Sequence, residues 1–122
     1  VNSGRGSVWM AEETFQNGRM FWREDNSRIY VLYNSGSWAS YGDTWNPNLP
    51  EFTCGPEQSP PTPKRGFGKV WCDNSNVQQN LGNATSGEFG EHGAVQDFSG
   101  GIILQSGSGT IYVFYNNGTW RQ

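Results

Sequence analysis

The chain has 122 residues, of which 34% are hydrophobic and 16% charged, with a formal net charge of −3. Its eight Lys and Arg are scattered and make no cluster for a phosphate backbone, which argues against nucleic acid as a partner. No apolar run is long enough for a membrane-crossing helix, so membrane insertion is not expected.

This length suits a single domain over residues 1–122, with a modest core. Six Trp, seven Phe and five Tyr must supply much of that core, and seventeen Gly and six Pro argue for short strands joined by tight turns. Val1 is not an initiator Met and opens no signal-peptide pattern, so an upstream segment is expected to have been removed, or the chain to be an excised piece.

In chain order, residues 1–6 read as a mobile polar lead and Ser7 to Met10 as a short strand. Phe15 opens a repeated unit. Asn17-Gly18 is a turn, Arg19 to Arg23 a strand, and Glu24 to Ser27 the next turn. Arg28 to Asn34 is the clearest strand of the first half: Ile29, Val31 and Tyr33 face one way, Tyr30 and Leu32 the other. Both sets are apolar, which predicts cover on both faces or an exposed aromatic. After Ser35-Gly36, Ser37 to Tyr41 closes the unit and carries Trp38.

Asp43 to Pro63 contains all six prolines and no periodicity, and reads as an irregular linker. Beyond it, residues 64–71 restart the ordered chain, and Asp73 to Leu81 is the one expected helix, with Asn74 or Ser75 as cap and Gly82 as stop. Gly87 to Gly93 reads as a loop holding the only histidine, His92. Ala94 to Phe98, Ile102 to Ser106 and Thr110 to Asn116 are predicted strands, and Trp120 ends the second unit as Trp38 ends the first.

The two units are written in nearly the same words. IYVLYNSGSW over Ile29–Trp38 returns as IYVFYNNGTW over Ile111–Trp120, an offset of 82, and Phe15 returns as Phe98, an offset of 83. Unit 1 spans about residues 7–41, the Pro-rich linker 42–63 and unit 2 about 64–122. A three-stranded sheet cannot bury its own face, so the expected fold is mainly β: two pseudo-repeated antiparallel units that share one core. They pack face to face or continue one sheet around a pseudo-twofold, with one short helix added.

Cys54 and Cys72 have no metal-ligand spacing, and low Lys with an even Cys count suits an exported protein in which they pair. That bridge would close a loop of about 18 residues and contribute on the order of 3 kcal/mol. The alternative is two reduced, buried thiols.

Leu81-Gly82-Asn83-Ala84, then Gly93-Ala94-Val95-Gln96-Asp97-Phe98, then Gly101-Ile102-Ile103-Leu104 follow in an order that resembles the LGFP repeat of secreted bacterial proteins. The match covers about residues 81–115 and returns more weakly at Gly6-Ser7-Val8 and Phe15 to Trp22. Ala84 stands where the family has Pro, Leu104 and Gln105 replace its Tyr-Trp pair, and unit 1 lacks the opening motif. The resemblance implies an extracellular or cell-envelope module that holds proteins to the wall. It implies no catalysis and brings no binding residues with it.

Aromatic side chains carry the functional expectation. A sugar's C–H face is apolar, so carbohydrate sites use flat indole or phenol platforms flanked by polar groups. The candidates are Trp38 and Trp120, which follow the Asn34 and Asn116 turns, together with Trp22, and Trp45 beside Asp43. Core packing of Trp38 and Trp120 is the competing role. Catalysis needs opposed carboxylates, and Glu12, Glu13, Asp25, Asp43, Glu88 and Glu91 show no pairing pattern. His92 has no nucleophile motif near it, and Asp25-Asn26 and Asp73-Asn74 lack the spacing of a calcium loop. No enzyme activity, metal or cofactor is expected. Asn83 and Asn117 open glycosylation sequons.

The expected function is therefore a secreted, non-catalytic module that binds glycan or cell-wall polymer. The alternative is a self-assembling extracellular subunit, because low charge leaves strand edges undefended.

Overall fold

The computed structural model describes residues 3–46, 48–49 and 65–122. The elements run β1 (Ser3–Phe15), β2 (Gly18–Arg23), β3 (Arg28–Tyr33), β4 (Trp38–Gly42), α1 (Arg65–Asp73), α2 (Ser75–Leu81), β5 (Phe89–Phe98), β6 (Gly101–Gln105), β7 (Ile111–Tyr115) and β8 (Trp120–Arg121). The strands form one antiparallel sheet in the order β4-β3-β2-β1-β5-β6-β7-β8. Each unit is a meander built outward from its first strand, and the two meet where β1 pairs with β5. Of the two arrangements open to the repeat, the chain adopts the single sheet continued around a pseudo-twofold.

The sheet curls until its outer edges touch. Ser37 and Thr119 form an antiparallel bridge, the Trp38 amide donates to Gly118 O at 2.9 Å, and the Trp120 amide donates to Gly36 O at 3.0 Å. The indoles repeat the exchange: Trp38 Nε1 donates to Tyr115 O and Trp120 Nε1 to Tyr33 O, both at 2.8 Å. Every partner in this latch is the repeat equivalent of its counterpart. The Asn-x-Gly turns that end each copy thus close the sheet onto itself.

Closure sorts the alternating side chains into two cores. Inside lie Val8, Met10, Phe21, Tyr30, Leu32, Val95, Leu104, Tyr112 and Phe114, with Trp38 and Trp120 packed against them. Phe21 meets Tyr112 at 5.0 Å and Tyr30 meets Phe114 at 5.4 Å between ring centres, distances at which tilted aromatic pairs attract. Outside unit 1, Met20, Ile29 and Val31 pack under Phe67, Val70 and Trp71 of α1 and Val77 and Leu81 of α2. The two-sided apolar pattern of β3 has this cause: Tyr30 and Leu32 fill the interior while Ile29 and Val31 meet the helices.

Two short helices replace the one expected. Phe67, Val70 and Trp71 recur at helical spacing along α1, and their burial overrides the low helix propensity of Gly66 and Gly68 that hid this segment. The expected helix survives as α2. Asn74 caps it through its carbonyl, which accepts from the Val77 and Gln78 amides, and makes no side-chain cap bond. Gly82 ends it at φ 77°, and Trp71 Nε1 donates to Gly82 O at 2.9 Å, tying the end of α2 back to α1.

Two further expectations are corrected. The lead is not a loose tail from Ser3 onward: β1 runs thirteen residues and pairs with β5 on both sides of a bulge between Arg5 and Val8. The expected loop over Gly87–Gly93 is largely strand, since β5 starts at Phe89. Gly90 and Gly93 are there for close approach, not for turning: a Cβ at Gly93 would stand 2.3 Å from Gln105 O and 2.8 Å from Met10 Cε. Cys54 and most of the Pro-rich segment lie outside the described residues, so the expected pairing falls outside them too. Cys72 is half-buried against the helix-side core.

Candidate functional site

A concavity rich in tryptophan lies on the outer face of unit 1, where the sheet meets the start of α1. It is a cleft of about 450 Å³. Trp9, Trp22 and Trp45 line it with Asp43, Arg65 and Glu88, and Ala11, Ile29, Phe67, Gly66 and Gly90 complete it.

Alternation along the strands brings these side chains together. In β1, Val8 and Met10 point into the inner core, so Trp9 and Ala11 point out. Ala11 pairs with Trp22 of β2, and Trp22 pairs with Ile29 of β3, so all share the outer face. Trp9 is 39% exposed and stands edge-on to His92, its cross-strand partner, at 4.9 Å between ring centres. A Cβ on Gly90 would lie 2.3 Å from Trp9 Cζ2, so the ring rests on bare backbone. Trp22 is half-buried, and its Nε1 is enclosed with no hydrogen-bond partner among the described residues.

The opposite wall comes from the chain leaving β4 and from the first turn of α1. Asp43 Oδ1 accepts from the Trp45 amide at 3.2 Å, an Asx turn that fixes Trp45 beside the sheet. Gly66 allows α1 to approach this turn, since a Cβ there would stand 2.6 Å from Asp43 Oδ1 and 3.1 Å from Ile29 Cδ1. Arg65, with φ at 54°, holds its guanidinium carbon 6.0 Å from the Trp45 ring centre, within cation–π range.

Of the candidates read from the sequence, Trp22, Trp45 and Asp43 therefore come together here, and Trp38 and Trp120 do not. The latter two are half-buried and hold the latch described above. Asn34 is exposed beside Tyr33, Asn76 and Asn80 in a separate polar hollow of about 490 Å³. Asn116 is exposed in its turn, and its side-chain amide donates to Ser99 O at 2.6 Å. Asn83 and Asn117 of the sequons are both exposed, and Asn117 Oδ1 accepts from the Thr119 amide and hydroxyl.

Sequence reasoning passed over Trp9, Arg65, Glu88 and Gly90 as members of this site. Trp9 left one usable signal: within Val8-Trp9-Met10 it is the large aromatic facing away from two core residues.

Buried charge lies elsewhere, inside the sheet. Arg23, 1% exposed, forms a fork to Asp25, Nε to Oδ1 at 2.9 Å and Nη2 to Oδ2 at 2.6 Å, and reaches Asp97 at 3.2 Å. Burial opposes its charge, yet Asp25, Tyr30 and Asp97 hold its pKa above the ordinary value. Farther along the interior, Arg19 Nη1 donates to Glu12 Oε2 at 2.7 Å and to Tyr112 Oη at 2.6 Å. Burial, and then the neighbouring Glu91 carboxylate, push the Glu12 pKa up, while Arg19 pulls it down. Neither group lines the cleft over unit 1. Among those residues no group of His, Cys, Asp or Glu is placed to hold a metal ion, and no helix is long and apolar enough to cross a membrane.

Compared with known protein families, with curated proteins and with solved structures, the chain matches none.

Proposed function

We propose that this chain is a secreted, non-catalytic β module of the extracellular space or cell envelope that binds glycan or cell-wall polymer. The cleft lined by three tryptophans carries this reading. Its volume falls in the range of ligand sites, its indoles offer flat apolar faces to pyranose C–H surfaces, and Asp43, Glu88 and Arg65 supply acceptors and donors for hydroxyls. Aromatic-rich, low-charge composition and the LGFP-like pattern of unit 2 support the same class. Pairing of Cys54 with Cys72, proposed as part of an exported fold, predicts that a thiol reagent labels neither residue until reductant is added.

Calorimetry against a panel of wall and matrix polysaccharides tests the reading, with heats expected for at least one glycan and lost in Trp45→Ala. Silence across the panel would overturn it.

One observation favours self-assembly as a second reading. Ile111 is 50% exposed, and Ile103, Val113 and Tyr115 share its outer face of unit 2 only half-buried. Light scattering coupled to size exclusion decides this: a strict monomer at high concentration counts against assembly.

A further inference from the structure

We infer that the cleft selects glycans bearing free amino groups. This rests on the glycan-binding reading above and names its ligand class. Three observations carry it.

First, the cleft already holds a cation against an indole. The Arg65 guanidinium over Trp45 is the arrangement by which an aromatic face attracts positive charge. Second, carboxylates outnumber cations in the lining. Asp43 and Glu88 are half-buried in its walls, whereas Arg65 is exposed. Partial burial lowers the dielectric around the two carboxylates and strengthens their attraction for an ammonium group. Third, Trp9 presents a face 39% exposed, seated on Gly90. A pyranose that stacks there has the acidic residues in the same cleft.

An amino sugar satisfies all three. Its C–H face lies on an indole, and its ammonium takes the carboxylates and a second indole face. A neutral sugar keeps only the stacking and hydroxyl contacts, and an acidic sugar meets net repulsion. Arg65 competes for the same groups, so the chain carries its own weak occupant of the cationic position.

Calorimetry with tetrasaccharides of glucose, N-acetylglucosamine and glucosamine tests this at about pH 5.5, above the ordinary carboxylate range and below that of amines. The glucosamine oligomer is expected to bind about ten-fold tighter than the other two, a preference that shrinks as salt is raised. Glu88→Gln and Asp43→Asn each reduce the preference, and Arg65→Gln raises affinity for the glucosamine oligomer about three-fold. Melting temperatures identify any variant that loses its fold. Asp43→Asn is the one at risk, because Asp43 holds the Trp45 turn, and Glu88→Gln alone then decides.

Equal or tighter binding of the uncharged oligomers overturns the inference and leaves the glycan reading standing. Equal binding of a lysine tetrapeptide overturns the choice of a sugar. No binding by any of the three saccharides, with silence across the polysaccharide panel, removes the glycan reading and this inference with it.

Discussion

Ile29 and Ile111 occupy the same place in the two units, each the first apolar residue of an IYV strand, yet one is 0% exposed and the other 50%. Inward, the units agree: Tyr30 and Tyr112 are both 2% exposed, and Leu32 and Phe114 both 0%. Outward they diverge because α1 and α2, which precede β5, fold over the strands of unit 1. Unit 2 receives no such cover among the described residues. A strand's own sequence sets which side chains share a face, while the segment packed against it decides whether that face is buried. That packing also explains why the cleft opens over the strands of unit 1: three of its members, Arg65, Gly66 and Phe67, come with α1, which packs on that face.

Truncating the paired isoleucines should give the largest contrast. Ile29→Ala is expected to cost about 2–5 kcal/mol, and Ile111→Ala less than about 0.5 kcal/mol, in urea unfolding. Comparable losses at both positions would mean that unit 2 is covered in solution.

The latch should respond next, and symmetrically. Trp38→Phe and Trp120→Phe each remove an indole N–H bonded to a carbonyl of the other unit. Each is expected to cost about 1–3 kcal/mol, and the double variant less than the sum, since either loss loosens the same closure. Full additivity in the unfolding curves would show that the two bonds act independently.

A smaller effect separates the polar interior from both cores. Glu12 keeps its proton to higher pH in the folded chain than in the unfolded one, because burial and Glu91 raise its pKa. The folded state then binds more protons across that interval, so this site's contribution to stability falls as pH rises from the ordinary carboxylate range towards the raised value. Glu91→Gln removes the like charge and should flatten the decline of melting temperature with pH. An unchanged or steeper decline would place the coupling elsewhere.

Much of the fold was legible in the repeat. The β3 and β7 strands, their turns and the shared core follow from alternation and the 82-residue offset. The remainder is set by contacts between residues distant in sequence. Gly66 and Gly68 lower the helix propensity of α1, but Phe67, Val70 and Trp71 find a sheet to cover. Gly90 and Gly93 read as a loop, but β1 needs their bare backbone beside Trp9 and Met10. The site was half legible for the same reason. Trp45 and Asp43 are neighbours in sequence, and their link is local. Trp9 joins them only because β1 is the central strand beside β5, and sequence spacing does not show this. Trp38 and Trp120 were conspicuous as a repeated pair, and that pairing marks the closure of the sheet.

The tryptophans divide between a latch and a cleft. Calorimetric titration of a bound oligosaccharide into Trp45→Ala and Trp38→Phe, with melting curves of both, tests this division most directly. Trp45→Ala should lose the ligand at a nearly unchanged melting temperature, and Trp38→Phe should melt earlier and still bind. The reverse, with binding lost in Trp38→Phe while it stays folded and retained in Trp45→Ala, would put the ligand at the latch instead of the cleft.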